Sequence, residues 1–162
     1  MKKYLLPENG SFYKANLHCH TTISDGRMTP EEIKEAYTSN GYSVVAFTDH
    51  DVLIPHPELA DESFLPLNAY EMEINEHYPK KPHSKTCHMC LIALEPDNVK
   101  QVCFHRSKYL PRNTVNYVSK VKYDENEPDY EREYTGERIN DIMKKARDTG
   151  FFVTYNHPTW SR

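Results

Sequence analysis

An α/β fold built on parallel strands is what this sequence predicts, and three features predict it. Ser43 to Phe47 (SVVAF) is a continuous β-rich run of the kind buried on both faces of a parallel sheet. A strand-like run from Tyr13 to Leu17 and a helix signature precede it, which makes a βαβ unit. The third feature recurs along the chain: apolar runs end in polar side chains, as in His18-Cys19-His20, Asp49-His50, Tyr70-Glu71 and Asn156-His157.

The elements follow in order. After the first strand comes the polar stretch from His18 to Gly26. Thr29-Pro30-Glu31-Glu32 then forms a capping-box pattern with Pro at the first helical position; Ile33, Ala36 and Tyr37 supply an apolar stripe, and Gly41 a stop. Phe64 to Ile74 reads as a third strand and Thr86 to Leu94 as a fourth, with an exposed Pro- and Lys-containing loop from Asn75 to Lys85 between them. Within Glu95 to Thr135, Asp97 is expected to cap a short helix through Arg106, Thr114 to Val118 alternates like a strand, and Asp124 to Glu133 reads as acidic and solvated. Glu137 to Arg147 predicts a helix with Ile139, Ile142, Met143 and Ala146 on one face, closed by Gly150. Phe151 to Tyr155 is a last buried strand.

The 162 residues suit one domain large enough to close a core. A formal net charge of −4 and the lack of a Lys/Arg block exclude a broad surface for wrapping nucleic acid phosphates, though not a nucleotide or a nucleic acid end. Leu5-Leu6 before Pro7 is too short for a signal-peptide core or membrane span, so a cytoplasmic protein without membrane contact is expected. Four cysteines do not make a disulfide scaffold at this length. Nine histidines are the informative excess.

Alternate residues of an extended segment share a face, so His18 and His20 point one way and Cys19 the other. Ligands of α/β folds collect at the carboxyl ends of parallel strands, where His18, His20, Asp49, His50, Glu71 and His157 fall; His88 projects from within its strand. A single histidine at a strand end is more often structural than a ligand. Five histidines and two carboxylates converging there point instead to divalent metal ions, because so many buried polar groups would otherwise stay unpaired.

These motifs, HxHT…SDG (His18, His20, Thr21, Ser24 to Gly26), TDH (Thr48 to His50), Tyr70-Glu71, His88 and NHP (Asn156 to Pro158), resemble those of the polymerase and histidinol phosphatase (PHP) family across nearly the whole chain. The resemblance implies a distorted (β/α)7-type barrel and two or three Zn, Mn or Fe ions. His18 and His20 would hold the first ion, Glu71 would bridge it to a second completed by His88 and His157, and Asp25 with His50 would hold a third. Glu73 competes for the bridge, and Asp49 would orient an imidazole. The implied reaction is hydrolysis of a phosphate ester, whether a small phosphomonoester, a nucleotide or an oligonucleotide end, by a metal-bridged hydroxide, with His18, His20, Glu71 and His157 as the catalytic set.

The family's further Asp-x-His occurs nowhere in the chain, and five or six strands are too few to close a barrel. A single partial barrel, truncated at its C-terminal end or pairing with another chain as a homo-oligomer, is therefore expected. Three other readings are open: an amidohydrolase-type metal hydrolase, which also begins with HxH; a catalytically incomplete or regulatory PHP domain; and a zinc module using Cys87, Cys90, Cys103 and His105.

Overall fold

The computed structural model describes residues 9–106 and 108–158. The N-terminal run read above as too short for a membrane span lies outside them. Within them, five strands form one sheet in the order β1-β2-β3-β4-β5: β1 (Ala15–Cys19), β2 (Val44–Phe47), β3 (Leu65–Asn75), β4 (Thr86–Ala93) and β5 (Phe151–Asn156). β1, β2 and β3 run parallel, β4 runs against β3, and β5 runs against β4. β5 therefore points the same way as β1 to β3. The carboxyl ends of four strands and the start of β4 meet at one edge.

Helix α1 (Pro30–Ser39) begins as its sequence demands. Thr29 accepts from the Glu32 amide, the Glu32 side chain reaches back to the Thr29 amide, and Pro30 fills the first turn where no N–H is needed. Ile33 and Tyr37 pack with Cys19, Val45, Phe47 and Phe64 to cover the outer face of β1 and β2. Helix α2 (Gly136–Asp148), capped by Thr135, buries Ile142 and Ala146 against Tyr70, Met72, Met89, Leu91 and Phe151 from the outer face of β3 to β5. The opposite face carries the polar set. β1 and β5 are the edges of the sheet, and Phe152 and Tyr155 on β5 stay about half exposed, so this is a partial barrel, open where a closed one would continue. No helix among the described residues is long and apolar enough to cross a membrane.

The structure departs from the sequence reading between β4 and α2. The run from Asp97 to Arg106 forms no helix, and Thr114 to Val118 lies in a 3-10 helix, Arg112–Lys120, instead of a strand. Tyr117 and Val118 pack on a small core of Ile23, Val52, Phe104 and Val121 while Val115 stays exposed, so the burial does not follow a strand's alternation. Within the acidic stretch, Arg132 is almost fully buried beside Asp51, a long-range pairing that no local pattern announces.

His105 is enclosed here. Its Nδ1 accepts the Tyr109 amide at 3.1 Å, and burial, with the Arg132 guanidinium nearby, pushes its pKa down from 6.5 to about 2. Because the folded value lies below the unfolded one, protonation favours the unfolded chain. The contribution is complete above pH 6.5 and shrinks as pH falls toward 2. By about pH 4.5 roughly 3 kcal/mol should be lost. Urea melts of wild type and His105→Asn, whose carbonyl can still accept the Tyr109 amide, should differ by this amount, the variant keeping only the slope that other histidines such as His50 contribute.

Candidate metal centre

All seven side chains selected from the sequence line one cavity of about 350 Å³. At its centre is Glu71, its side chain 1% exposed, with carboxylate oxygens 3.1 to 3.5 Å from ring nitrogens of His18, His20, His50, His88 and His157. The imidazoles are packed ring against ring, with centroids 4.4 Å apart for His20 and His50 and 4.9 Å for His88 and His157. Topology explains the convergence. The register of β1 on β2 shifts between Asn16 and Cys19, a bulge of the kind that re-aims side chains; His18 and His20 face the cavity while Cys19 joins the outer core. β3 continues past the end of β2, so Glu71 sits in mid-strand opposite His50, with Cys90 as its β4 partner. Because β4 is antiparallel, its early residue His88 lies opposite Glu73 and Asn156.

The hydrogen bonds set the tautomers of two rings. Thr48 Oγ1 accepts from the Cys19 amide and donates to the Cys19 carbonyl, leaving its 2.8 Å contact with His18 Nδ1 to be made by a ring proton. His20 Nδ1 likewise donates to Asp25 Oδ1 at 2.7 Å. Both rings then present the Nε2 lone pair to the cavity. Asn156 Nδ2 donates to Glu71 Oε1 at 3.0 Å and to Cys90 Sγ at 2.8 Å, and that sulfur is 3.2 Å from His18 Nδ1. Thr48 and Asn156 entered the sequence reading only as motif positions and Cys90 only as a zinc-module cysteine; their contacts with His18 and Glu71 arise when the strands pair.

Besides its place in the cavity wall, Asp25 accepts from His20 and, at 3.5 Å, from the Ser24 hydroxyl through Oδ1 and from Arg112 Nη1 through Oδ2 at 2.6 Å, with His50 Nε2 at 3.8 Å. Asp49 differs from expectation. Its carboxylate accepts from the amides and hydroxyls of Thr21 and Ser24 and orders the loop carrying His20 and Asp25, without touching an imidazole. Glu73 flanks the cavity, 3.8 Å from His88 Nε2 and 3.2 Å from Lys80. A zinc ribbon is not formed: among the described residues no metal-capable group contains Cys87, Cys103 or His105.

The electrostatics follow from burial set against this packing. Burial opposes ionisation of Glu71, but the His20 and His88 rings and the Asn156 amide facing its carboxylate outweigh burial and hold its pKa far below the usual carboxylate range. Burial and the neighbouring His20 lower His50 to about 4. Burial also lowers His18, whereas for His20 the carboxylates of Glu71 and Asp25 overcome burial and raise it. The buried atoms His20 Nε2, His50 Nδ1, His88 Nδ1 and Glu71 Oε2 have no hydrogen-bond partner although they lie close to one another. Buried polar atoms are rarely left this way. Donors of N and O type aimed at common points fit divalent cations. Among the described residues four combinations bring ligand atoms within 4.8 Å of one another: His20, His50 and Glu71; Glu71, His88 and His157; His50, Glu73 and His88; and, with a sulfur, His18, Glu71 and Cys90.

The model of the PHP domain family matches residues 16–151, from the first strand to the start of the last. The chain belongs to the PHP domain family. Over 40 residues, 25% of the chain, this PHP domain is 42% identical to a 5'-3' exoribonuclease of Haemophilus influenzae, of which that stretch is 15%. A solved structure of an amidohydrolase from Chromobacterium violaceum, with bound sulfate and no metal, aligns over 52% of the PHP chain and 29% of its own at 25% identity and a TM-score of 0.40. The alignments thus span well under two thirds of either relative's length.

Proposed function

We propose that this domain is a metal-dependent phosphoesterase whose divalent ions are held around Glu71. The observation that carries the reading is the buried carboxylate in contact with five imidazoles, several of its neighbouring donor atoms having no partner within the protein. His18 and His20 on one side of Glu71, and His88 and His157 on the other, would hold two ions; Asp25 and His50 would serve a third. Zn, Mn or Fe suit this donor set. When bound, such ions lower the pKa of water and neutralise charge on phosphoryl oxygens.

The chain's own groups prepare that chemistry. Glu71 is ionised at any physiological pH, and His50 is neutral there, with its lone pair available. Asp25 and Thr48 fix the orientation of His20 and His18. Arg112, mostly exposed and bonded to Asp25 at the cavity rim, places a cation where an anionic substrate would enter. The substrate class is a small phosphomonoester, a nucleotide or an oligonucleotide end, and the local identity to a protein named as an exoribonuclease supports the last of these.

An aryl phosphate assayed with added Mn should be hydrolysed by the wild type, with at least ~100-fold loss in His18→Ala and in His50→Ala, the scale expected when metal affinity is disturbed. Full activity in both variants would overturn the assignment. Turnover of amide substrates with no phosphoester turnover would replace it with C–N hydrolysis.

A further inference from the structure

β3 outruns its neighbour. The parallel ladder beside it continues past the end of β2 through Asp49 and Asp51: the Glu71 amide donates to Asp49 O at 3.1 Å and the Asp51 amide to Glu71 O at 2.7 Å. The next rung should join Glu73 to the backbone of Asp51. It cannot, because Asp51 turns away with φ +59 and its carbonyl accepts from Gln101 Nε2 at 2.8 Å instead.

Side chains supply the missing rung. The Glu73 amide donates to Asp51 Oδ1 at 3.2 Å, and Arg132 Nη1 donates to the Glu73 carbonyl at 3.1 Å while also bonding Asp51 Oδ1 closely. Both side chains are almost completely buried. The carboxylate thus acts as the neighbouring strand's C=O and the guanidinium as its N–H, one on each side of Glu73. The Glu73 side chain belongs to the donor group with His50, the residue before Asp51, and with His88, its partner across β4.

We propose that Asp51 and Arg132 form a positioning pair that substitutes for a strand and holds Glu73 and His50 in register at the metal centre. The pair touches no substrate and acts through the backbone. This rests on the metal-centre reading above, and the experiment separates the two.

Mn²⁺ binding to the full chain is measured by calorimetry well below the melting temperature, together with hydrogen exchange at the Glu73 amide, for wild type, Asp51→Asn/Arg132→Met and Arg132→Lys. The double variant leaves no unpaired buried charge. It should bind Mn²⁺ about 10- to 100-fold more weakly, the range for groups that orient metal ligands, and show reduced protection at Glu73, since the asparagine keeps an acceptor that no guanidinium fixes; Arg132→Lys, which retains a donor, should recover part of both. A pair that served stability alone would lower the melting temperature with Mn²⁺ affinity unchanged, and that result overturns the proposal. If the double variant does not fold, Arg132→Lys and Asp51→Asn are read singly: weaker Mn²⁺ binding in either supports the pair, and wild-type binding in both sinks it. A wild type that binds none of Mn²⁺, Zn²⁺ and Fe²⁺ would instead refute the metal-centre reading, and protection of the Glu73 amide alone would then judge the pair.

Discussion

Glu71→Gln should abolish metal-dependent stabilisation while leaving the chain folded. A ligand at about one hundred times its Kd stabilises a protein by roughly 2.7 kcal/mol, which for a chain of this size is a melting shift of about 5 to 10 °C. The wild type should show this on addition of Zn²⁺ or Mn²⁺ and lose it on chelation. Glutamine has the same shape, and its amide can donate to imidazole lone pairs where the carboxylate could not, so the metal-free variant has no reason to collapse. What it lacks is the negative charge between the five rings. Metal affinity should fall by more than the ~10- to 100-fold typical of an outer-shell change, and phosphoesterase turnover should fall with it. Elemental analysis and melting curves provide the check; a variant that keeps wild-type metal content and shift would remove Glu71 from the centre.

Gly26→Ala should have the second large effect, by steric means. A Cβ at Gly26 would lie 2.4 Å from the carbonyl oxygen of His20, 2.6 Å from its carbon and 2.7 Å from the Thr21 nitrogen. These are backbone atoms, so no rotamer change relieves the clash. The Gly26 amide also donates to Thr21 O at 2.8 Å, closing the loop in which Asp49 holds Thr21 and Ser24. Overpacking of this kind costs about 1 to 3 kcal/mol or more. The displaced segment carries His20 and Asp25, so metal binding and turnover should drop further than stability does. Denaturant melts compared with Mn²⁺ titrations test this, and wild-type metal binding in Gly26→Ala would show that the loop tolerates the shift.

Much of this arrangement was legible in the sequence because its signals are local. The Thr29 to Glu32 capping box, the apolar face of α2 and the SVVAF run each form the expected element within a few residues. The seven candidate ligands were legible because imidazoles and carboxylates at strand ends have few other uses in such number. Between β4 and α2 the local signal was weak. The alternation of Thr114 to Val118 was overruled by packing against Phe104 and Val121, and Arg132 looked like part of a solvated run because its partner is 81 residues away.

By itself, the sequence determined the chemistry: which side chains can donate to a metal, the βαβ start, and the family to which the chain belongs. Only the tertiary structure decided how those groups are shared. The reversal of β4 puts His88 at the same edge as His18 and His157, and the overrun of β3 makes Glu71, rather than Glu73, the carboxylate that all five imidazoles touch. It also set Thr48 against His18 and Asn156 against Glu71, gave Asp49 to the loop, and paired Asp51 with Arg132. The physical reason is that donor identity belongs to a residue, whereas strand direction, register and the pairing of buried charges are properties of contacts between segments distant in the chain.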